Sequence, residues 1–277
     1  MVVVPDGKDN SQLITSFEAL AGFLSHLQHN DLQVVDLTSR LSASTPTLQL
    51  PEPYANLIDF SLEEVSAFDD SGPFWRHNNI HTGEHIGTHL DAPRHWISGR
   101  DGDDVSRIPV HRLLGRAHVL DVSANVAEDP DFLLEITHIR AWEAEYGPLR
   151  RGSWLLIRSG WDERSQDRAA FLNVIGGVSH TPGISPECAR WLAEDSPIVG
   201  YGVETVGIDA GNAFTLEPPM PAHYYLLGAD KYGITSLQNL SDLPPDGALV
   251  IVSPLPIVGG TGSPARVLAV IPSDRQL

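Results

Sequence analysis

Cysteine is almost absent from this chain. Cys188 is the only one among 277 residues, so no internal disulfide can form and no cluster of cysteines can hold a metal ion. Cys188 lies in PECARWLAED, a run with helical spacing of its apolar residues. A lone cysteine on such a helix is by default a small buried apolar residue, and we do not expect a catalytic thiol there.

Basic charge is also scarce. The chain has 36 acidic and 18 basic residues, and its formal net charge is -18. Nucleic acids and anionic membranes attract basic surfaces, so neither is an expected partner. No apolar run approaches the roughly 18 residues of a membrane span, and the first residues lack the basic start and long apolar stretch of a secretory signal. We therefore expect a soluble, cytoplasmic protein.

No linker rich in serine or glycine divides the chain, and we expect a single domain over residues 1–277. Apolar positions at helical spacing predict an amphipathic helix at 11–28, within an N-terminal helical segment 1–30. Two further helices are predicted at 135–147 and 185–195. Apolar runs bounded by glycine or proline predict strands at 32–38, 118–123, 154–159, 198–209, 248–254 and 267–272. Alternating strands and helices indicate the α/β class.

Histidine is concentrated in one place. Five of the 12 histidines lie from His77 to His95, and residues 81–96 read HTGEHIGTHLDAPRHW. A single histidine usually has a packing or surface role, but this density, together with Asp91, favours a shared target. A metal site is the leading interpretation; acid–base chemistry without a metal and simple packing are the alternatives.

The spacing within the cluster argues against a helix. His85 and His89 are four residues apart, as in the helical zinc motif H-E-x-x-H, but Gly87 lies between them and Pro93 follows closely. In an extended chain, alternate residues from His89 to His95 share one face. A turn at Gly87, which tolerates unusual dihedral angles, would return His85 to the side of His89.

Two imidazoles and the Asp91 carboxylate would then converge, with His95 close by but farther along. Two histidines and one carboxylate are a common protein ligand set for catalytic metals, and they leave positions open for water and substrate. We therefore predict one divalent metal ion, Mn2+ or Zn2+, on His85, His89 and Asp91. The ligand set alone does not choose between the two metals.

The run HIGTHLDAPRHW (85–96) resembles the H-x-G-T-H-x-D-x-P-x-H signature of the cyclase family of metal-dependent hydrolases, to which isatin hydrolases and bacterial kynurenine formamidases belong. The resemblance implies that His85, His89 and Asp91 bind the metal and that His95 is the catalytic acid and base. It also implies an α/β, swivelling β/β/α fold of the cyclase type. Further similarity lies at 180–185, 202–211, 221–228 and 262–268.

The same resemblance implies an oligomer, either a homodimer or a homotetramer. The helical segment 1–30 is then a candidate for contacts between subunits.

A second metal site occurs in the formamidase branch of the family, completed by a later histidine and a glutamate. The resemblance maps the histidine onto His223, but the glutamate position falls in GITSLQNL (233–240), where this chain has Gln238. A neutral amide is a poorer ligand than a carboxylate and brings no charge to offset a dication. We therefore expect one firmly bound metal ion, with His223 and Gln238 nearby as weak ligands or substrate contacts.

Aromatic residues flank the cluster. WISG (96–99) is more similar to the isatin hydrolase branch than to the formamidases. Phe74, Trp75 and Trp96 are candidates for the walls of a pocket that binds a flat aromatic substrate, with ordinary core packing as the alternative.

Four polar residues remain open. His77 and His81 are each candidates for substrate contact or for a hydrogen bond to a ligating ring, with packing as the alternative. Glu204 and Asp209 are typical of the family, but the sequence assigns them no role.

These features predict a metal-dependent amidohydrolase. A bound metal ion lowers the pKa of water and polarises a carbonyl oxygen, and His95 can deliver a proton to the leaving nitrogen. The predicted reaction opens a cyclic amide of a small aromatic substrate, as in the conversion of isatin to isatinate. One alternative is hydrolysis of a linear aryl formamide, as in kynurenine formamidase; the other is a non-catalytic metal- or ligand-binding protein on the same fold. No G-x-S-x-G elbow supports a serine hydrolase.

Overall fold

A computed structural model describes residues 10–50 and 52–273 of the chain. The helices in this part are α1 (Asn10–Gln28), α2 (Ser123–Glu128), α3 (Ile136–Tyr146), α4 (Arg168–Leu172) and α5 (Pro186–Glu194). The strands are β1 (Leu32–Asp36), β2 (Ser61–Ala67), β3 (Arg76–His81), β4 (His89–Asp91), β5 (Leu114–Asp121), β6 (Leu133–Leu134), β7 (Trp154–Arg158), β8 (Val174–Ile175), β9 (Val178–Ser179), β10 (Gly183–Ile184), β11 (Gly200–Val203), β12 (Tyr232–Thr235), β13 (Asp246–Pro254) and β14 (Gly262–Pro272).

The main sheet closes on itself. Its eight strands follow the order β1-β14-β13-β5-β7-β11-β12-β4, and β4 also pairs with β14. Seven strands therefore form a ring, and β1 pairs with the far end of β14. The segment β5-β7-β11-β12 is parallel, whereas β4, β13 and β14 pair antiparallel with their neighbours. Closure leaves the ring strands with paired edges on both sides.

Strand β7 shows why the sheet buries both of its faces. Its sequence WLLIR is apolar at four successive positions, and side chains alternate between the two faces of a strand. Trp154 and Leu156 belong to the core enclosed by the ring strands. Leu155 and Ile157 belong to a second core, which includes residues of α3 and α5. A continuous apolar run, as opposed to an alternating one, is typical of a parallel strand covered on both faces.

The predicted helices are confirmed with small shifts of their ends. The helix predicted at 11–28 is α1, and residues 1–9 of the predicted segment 1–30 lie outside the described residues. Helix α5 begins after Ser185, whose hydroxyl accepts a hydrogen bond from the Cys188 amide. Cys188 is fully buried, and burial raises the pKa of its thiol to about 12, as suits a packing residue. None of the described helices has the length and apolar character needed to cross a membrane.

The strand predicted at 198–209 is wrong in length, because only Gly200–Val203 joins the sheet. The chain leaves the sheet at Glu204, whose carboxylate turns to the loop after β7. One oxygen of Glu204 accepts hydrogen bonds from the Ser159 amide (2.7 Å), the Ser159 hydroxyl (2.8 Å) and the Trp161 amide (3.0 Å). Glu204 thus ties two neighbouring parallel strands together just beyond their ends.

Strands β2 and β3 form a separate hairpin that pairs with no strand of the ring. Its strand residues are largely exposed, and Leu62 lies opposite Ile80 in the ladder. Its connecting loop carries Phe68 and Phe74, and the side chain of Phe74 is 85% exposed. An isolated two-stranded hairpin is at best marginally stable in water. This hairpin also exposes large apolar side chains, which soluble proteins usually bury when they are clustered.

Glu204 makes the stability of the fold depend on pH. Burial is the largest influence and, together with the charge of Asp162, raises the pKa of Glu204 from its ordinary value of 4.5 to about 7. The folded chain therefore binds this proton more tightly than the unfolded chain does. The resulting stabilisation is complete below about pH 4.5 and is lost as the pH rises through about 7, at about 1.4 kcal/mol per unit of pKa difference.

We predict that Glu204→Gln removes this loss, because an amide oxygen still accepts hydrogen bonds and does not titrate. Urea unfolding between about pH 5 and pH 8 should show wild-type stability falling relative to the variant as the pH rises. Glu187→Gln, at an exposed position on α5, is the matched control and should keep the wild-type profile. Parallel pH profiles for wild type and Glu204→Gln would show that Glu204 titrates normally.

Candidate metal centre

Strand β4 carries His89 and Asp91, and a turn before it supplies His85. Gly87 has a φ of 56°, in the left-handed region that favours glycine, and the turn there returns His85 beside the strand, as predicted. Gly262 on β14 lies against the ring of His85. A Cβ at Gly262 would be only 2.5 Å from Cε1 of His85, so any larger residue would displace that ring.

Three side chains converge on one point. Nδ1 of His85 lies 2.7 Å from Oδ1 of Asp91, and Nε2 of His89 lies 3.3 Å from the same oxygen. One nitrogen or oxygen from each residue can be chosen so that all three lie within 4.8 Å of one another. The two imidazole rings are nearly perpendicular, at 85°, with their centroids 5.1 Å apart. The convergence predicted from the spacing of the signature is therefore present.

The charge of Asp91 fits a cation at this point. Its side chain is 1% exposed, and its second oxygen, Oδ2, is buried without a hydrogen-bond partner. Burial alone would raise the pKa of Asp91, but the neighbouring His89 and His85 outweigh it and hold the pKa well below its ordinary value. A buried carboxylate that stays ionised with one oxygen unpaired needs positive charge beside it.

The ring of His89 is also prepared for a cation. Its Nδ1 lies 2.8 Å from the carbonyl oxygen of Gly87 and 2.9 Å from the hydroxyl of Thr235. A carbonyl oxygen only accepts hydrogen bonds, so Nδ1 carries the proton and Nε2 keeps its lone pair. That lone pair faces Asp91. Together with the unpaired oxygen of Asp91, it makes the donor set suitable for a divalent cation.

The extended chain predicted as far as His95 is wrong, because strand β4 ends at Asp91. Pro93 begins a single 3-10 turn that ends at His95, closed by a hydrogen bond from the His95 amide to the Ala92 carbonyl (2.9 Å). Proline suits the first position of a turn because its φ is fixed and no amide hydrogen is lost there.

This turn brings His95 closer to the centre than a strand would. The rings of His95 and His85 stack with their centroids 3.8 Å apart. Burial is the main cause that lowers the pKa of His95 to about 3; Asp91 opposes the shift, and the adjacent histidines contribute to it. The ring is therefore neutral near pH 7 and can accept a proton.

His223 reaches the same centre from a distant segment. It opens a π-helical turn, His223–Leu227, and its Nε2 lies 4.0 Å from Oδ2 of Asp91. Its other nitrogen, Nδ1, lies 2.6 Å from Asp209, whose carboxylate also accepts hydrogen bonds from the Ala222 and His223 amides. Burial lowers the pKa of His223, but Asp209 and Asp91 raise it by more, so the net shift is upward.

Gln238, the proposed companion of His223, is turned away from the centre. Its amide oxygen accepts a hydrogen bond from the Ser165 hydroxyl (2.9 Å), and its amide nitrogen donates to the Leu237 carbonyl (3.0 Å). It does not line the cavity that opens onto the centre. The expectation that Gln238 lies beside the metal site is therefore not met, because its hydrogen-bonding groups are satisfied elsewhere.

A cavity of about 370 Å³ opens onto the centre. One end is polar, formed by the signature residues with His223, Glu84 and Thr261. The remaining walls are mainly apolar side chains from four separate segments: Leu48, Leu50, Leu57, Trp96, Val206, Phe214 and Met220. An apolar slot that ends in a few converging polar groups is typical of a site for a small aromatic molecule.

Of the aromatic residues and the hairpin histidines predicted to contact substrate, only Trp96 lines this cavity. Phe74 and Trp75 lie on the exposed loop of the β2–β3 hairpin, and Trp75 stacks on His77. His81, on β3, binds Glu63 across the hairpin at 2.9 Å. Neither His77 nor His81 hydrogen-bonds a ring of the centre: the partner of His77 is Ser66 (3.1 Å). These residues are close to the signature in sequence but not at the site, because the hairpin forms a sheet of its own, apart from the closed main sheet.

Several residues of the site gave no usable signal in the sequence. Asp209 is 14 residues from His223, and Thr261 is 176 residues from His85. Phe214 stacks on Tyr54 across the cavity wall, and nothing local relates the two positions. The pairing of β14 with β4 brings Thr261 to His85, and the chain between β11 and β12 folds back to bring Asp209 to His223.

Comparison with known proteins agrees with the site and the fold. Residues 35–210 match the family model described as "Putative cyclase". An isatin hydrolase from Roseibium aggregatum is 44% identical over 257 residues, which cover 92% of this chain and 97% of that protein. A kynurenine formamidase from Salinibacter ruber is 30% identical over 195 residues, covering 66% and 74% of the two chains.

Two solved structures are similar over nearly their whole length. An isatin hydrolase bound to the product analogue thioisatinate has a TM-score of 0.90 and 43% identity, covering 92% of this chain and 98% of that one. Isatin hydrolase A from Ralstonia solanacearum has a TM-score of 0.89 and 41% identity, covering 97% and 100%. The predicted α/β fold of the cyclase type is thereby confirmed, and the chain belongs to the cyclase family of metal-dependent hydrolases.

Proposed function

We propose that this protein is a metal-dependent amidohydrolase that opens the cyclic amide of a small aromatic substrate, as in the hydrolysis of isatin to isatinate. The observation that carries the proposal is the apolar cavity ending at His85, His89 and Asp91, with the neutral His95 stacked on His85. The similarity to isatin hydrolases over more than nine tenths of the chain supports the same reaction.

We propose that His85, His89 and Asp91 hold one divalent cation, Mn2+ or Zn2+. A divalent cation bound there acidifies water and polarises a carbonyl group. The set has two imidazole nitrogens and a carboxylate but no thiolate, so it suits either metal. Gln238 is hydrogen-bonded elsewhere and does not line the cavity, so the described residues support one ion.

In the proposed reaction, water adds to the amide carbonyl carbon and the carbon–nitrogen bond breaks. Neutral His95 takes the proton of the attacking water and returns it to the leaving nitrogen, so the ring opens to an aryl amine and a carboxylate. His223 is held by Asp209 with its Nε2 toward the cavity, and its raised pKa suits donation of a hydrogen bond to the substrate oxygen. Trp96 and Phe214 supply faces against which an aromatic ring packs.

Hydrolysis of a linear aryl formamide is the second candidate. The similarity to kynurenine formamidases supports it, although that similarity is weaker and covers less of the chain. A non-catalytic binding protein is the third candidate. A binder has no need of a neutral histidine stacked on a ligating ring, so the position of His95 argues for catalysis.

Purified protein supplied with Mn2+ or with Zn2+ should convert isatin to isatinate faster than it hydrolyses N-formylkynurenine. His95→Ala should lower kcat on isatin by about 10²–10⁴-fold, the usual contribution of a general acid–base residue. His111→Ala, at an exposed position outside the cavity, is the matched control and should keep wild-type rates.

Three results would contradict parts of this proposal. No turnover of isatin with either metal would remove isatin as the substrate. A preference for N-formylkynurenine would favour the second candidate. Unchanged activity and ligand affinity in His95→Ala would favour the third.

We also propose that the chain works as a homodimer or homotetramer in the cytoplasm. The exposed apolar surface of the β2–β3 hairpin supports an assembly, as do Phe17, Leu20 and Leu24, which are exposed on α1. The lone buried cysteine suits a reducing compartment, and the charge of -18 gives no reason to propose a nucleic acid or a membrane as partner.

Light scattering should give two or four times the chain mass of 30.1 kDa. Ile80→Asp on the hairpin should shift the protein toward the monomer, because a charge is costly to bury in an apolar interface. Val110→Asp, at an exposed apolar position away from the hairpin and α1, is the control and should leave the mass unchanged. A wild-type monomer at micromolar concentration would contradict the assembly, and an unaffected Ile80→Asp would exclude the hairpin from it.

A further inference from the structure

The outer nitrogen of His85, which is the ring nitrogen that points away from Asp91, has a partner among the side chains of the cavity. While Nδ1 faces Asp91, Nε2 lies 2.8 Å from the hydroxyl oxygen of Thr261. Thr261 immediately precedes β14, and its carbonyl oxygen accepts a hydrogen bond from the Ala92 amide just after β4 (2.9 Å). This backbone hydrogen bond holds Thr261 beside the strand that carries His89 and Asp91.

The Thr261 hydroxyl in turn meets a carboxylate. Its oxygen lies 2.6 Å from Oε2 of Glu84, and the same oxygen of Glu84 accepts a hydrogen bond from the Thr261 amide (3.0 Å). Both Glu84 and Thr261 are partly buried and line the polar end of the cavity. Glu84 thus holds Thr261 by two hydrogen bonds, one to its backbone and one to its side chain.

The direction of the proton follows from the donors available. A carboxylate only accepts hydrogen bonds, so the single hydroxyl proton of Thr261 is donated to Glu84. The hydroxyl oxygen can then only accept from His85, which places a proton on Nε2. Nδ1 lies 2.7 Å from the Asp91 carboxylate, so when a bound cation takes the place of a proton between them, the ring keeps its one proton on Nε2 and presents the lone pair of Nδ1 to the cation.

We infer that Glu84 and Thr261 are positioning residues that hold His85 as the Nε2–H tautomer, with Nδ1 presented as the metal ligand. The inference rests on the metal centre of the proposed function, and it names the residues that prepare one ligand of that centre. Hydrogen bonds to the outer nitrogen of a ligating histidine fix the tautomer and the ring orientation, and their loss typically weakens metal binding 10- to 100-fold.

The two ligating histidines differ in how they are held, and the difference makes the inference testable. The outer nitrogen of His89 faces the backbone carbonyl of Gly87, which no substitution removes. The outer nitrogen of His85 depends on side chains alone, Thr261 and, through it, Glu84. Substitutions at these two positions should therefore weaken the metal site without changing any ligand.

The test measures metal affinity directly, by calorimetric titration of metal-free protein with Mn2+ and with Zn2+. Thr261→Val keeps the side-chain shape and removes the hydroxyl, and we expect about 10- to 100-fold weaker binding. Thr261→Ser keeps the hydroxyl and should bind within about threefold of wild type. Glu84→Gln replaces a charge-assisted hydrogen bond with a neutral one, and we expect roughly fivefold weaker binding.

Thr82→Val is the matched control. Thr82 lies close in sequence to the cluster, and its hydroxyl bonds only to the carbonyl of Gly83, so its loss should leave metal affinity unchanged. Thermal unfolding of each metal-free variant separates a general loss of stability from a specific loss of metal affinity. Nitrogen-15 NMR of histidine-labelled, zinc-loaded protein provides a second readout. In wild type it should show the Nε2–H form of His85, and Thr261→Val should alter that signal.

Wild-type affinity in Thr261→Val, or equal losses in Thr261→Val and Thr261→Ser, would overturn the inference. So would an NMR signal showing His85 protonated on Nδ1. If Thr261→Val fails to fold, Glu84→Gln decides, and unchanged affinity in that variant overturns the inference. Wild-type protein that binds neither metal would instead contradict the metal centre itself, so the two failures are distinguishable.

Discussion

The buried carboxylate of Asp91 is the feature on which the rest of the site depends. It lies between two imidazoles, remains ionised in spite of its burial, and has one oxygen that no group among the described residues satisfies. Such an arrangement is costly in a folded protein unless a cation offsets it. The fold maintains it because β4 is fixed on both sides, with β12 along one edge and β14 along the other.

The closed ring explains how a short strand can carry a precise site. Strand β4 has only three residues, yet both of its neighbours belong to the same ring and bring further groups to it. From β12 comes Thr235, which contacts His89; at the start of β14, Thr261 and Gly262 contact His85. The rigidity of the cluster is thus a property of the sheet. The apolar walls then keep His95 neutral, because burial opposes its charged form.

The local part of the site could be predicted from the sequence, and the distant part could not. The signature places three candidate ligands within seven residues, so the turn at Gly87 and one short strand are enough to bring them together. The extended conformation predicted up to His95 was wrong because Pro93 ends the extended chain and starts a 3-10 turn, a choice that alternation of residue types does not reveal.

Contacts between residues that are far apart in the sequence could not be predicted in this way. The contacts of Thr261 with Glu84 and His85 depend on the pairing of β14 with β4. The pairing of Asp209 with His223 depends on the path of the chain between β11 and β12. Local patterns encode neither. The same limit explains why Phe74, Trp75 and Gln238 were wrongly expected beside the site. Most strands of the main sheet and the three longest helices were predicted, since most of them bury a continuous or periodic apolar face. Strand β12, the hairpin and the short elements were not predicted.

The claim at the centre of this interpretation is that His85, His89 and Asp91 bind one divalent cation per chain. Diffraction from crystals soaked in excess MnCl2, measured at the manganese absorption edge, tests it most directly. We expect a single strong anomalous peak per chain, at bonding distance from nitrogen atoms of both histidines and from an oxygen of Asp91. A map with no peak among these three residues, or with two fully occupied peaks in each chain, would contradict it.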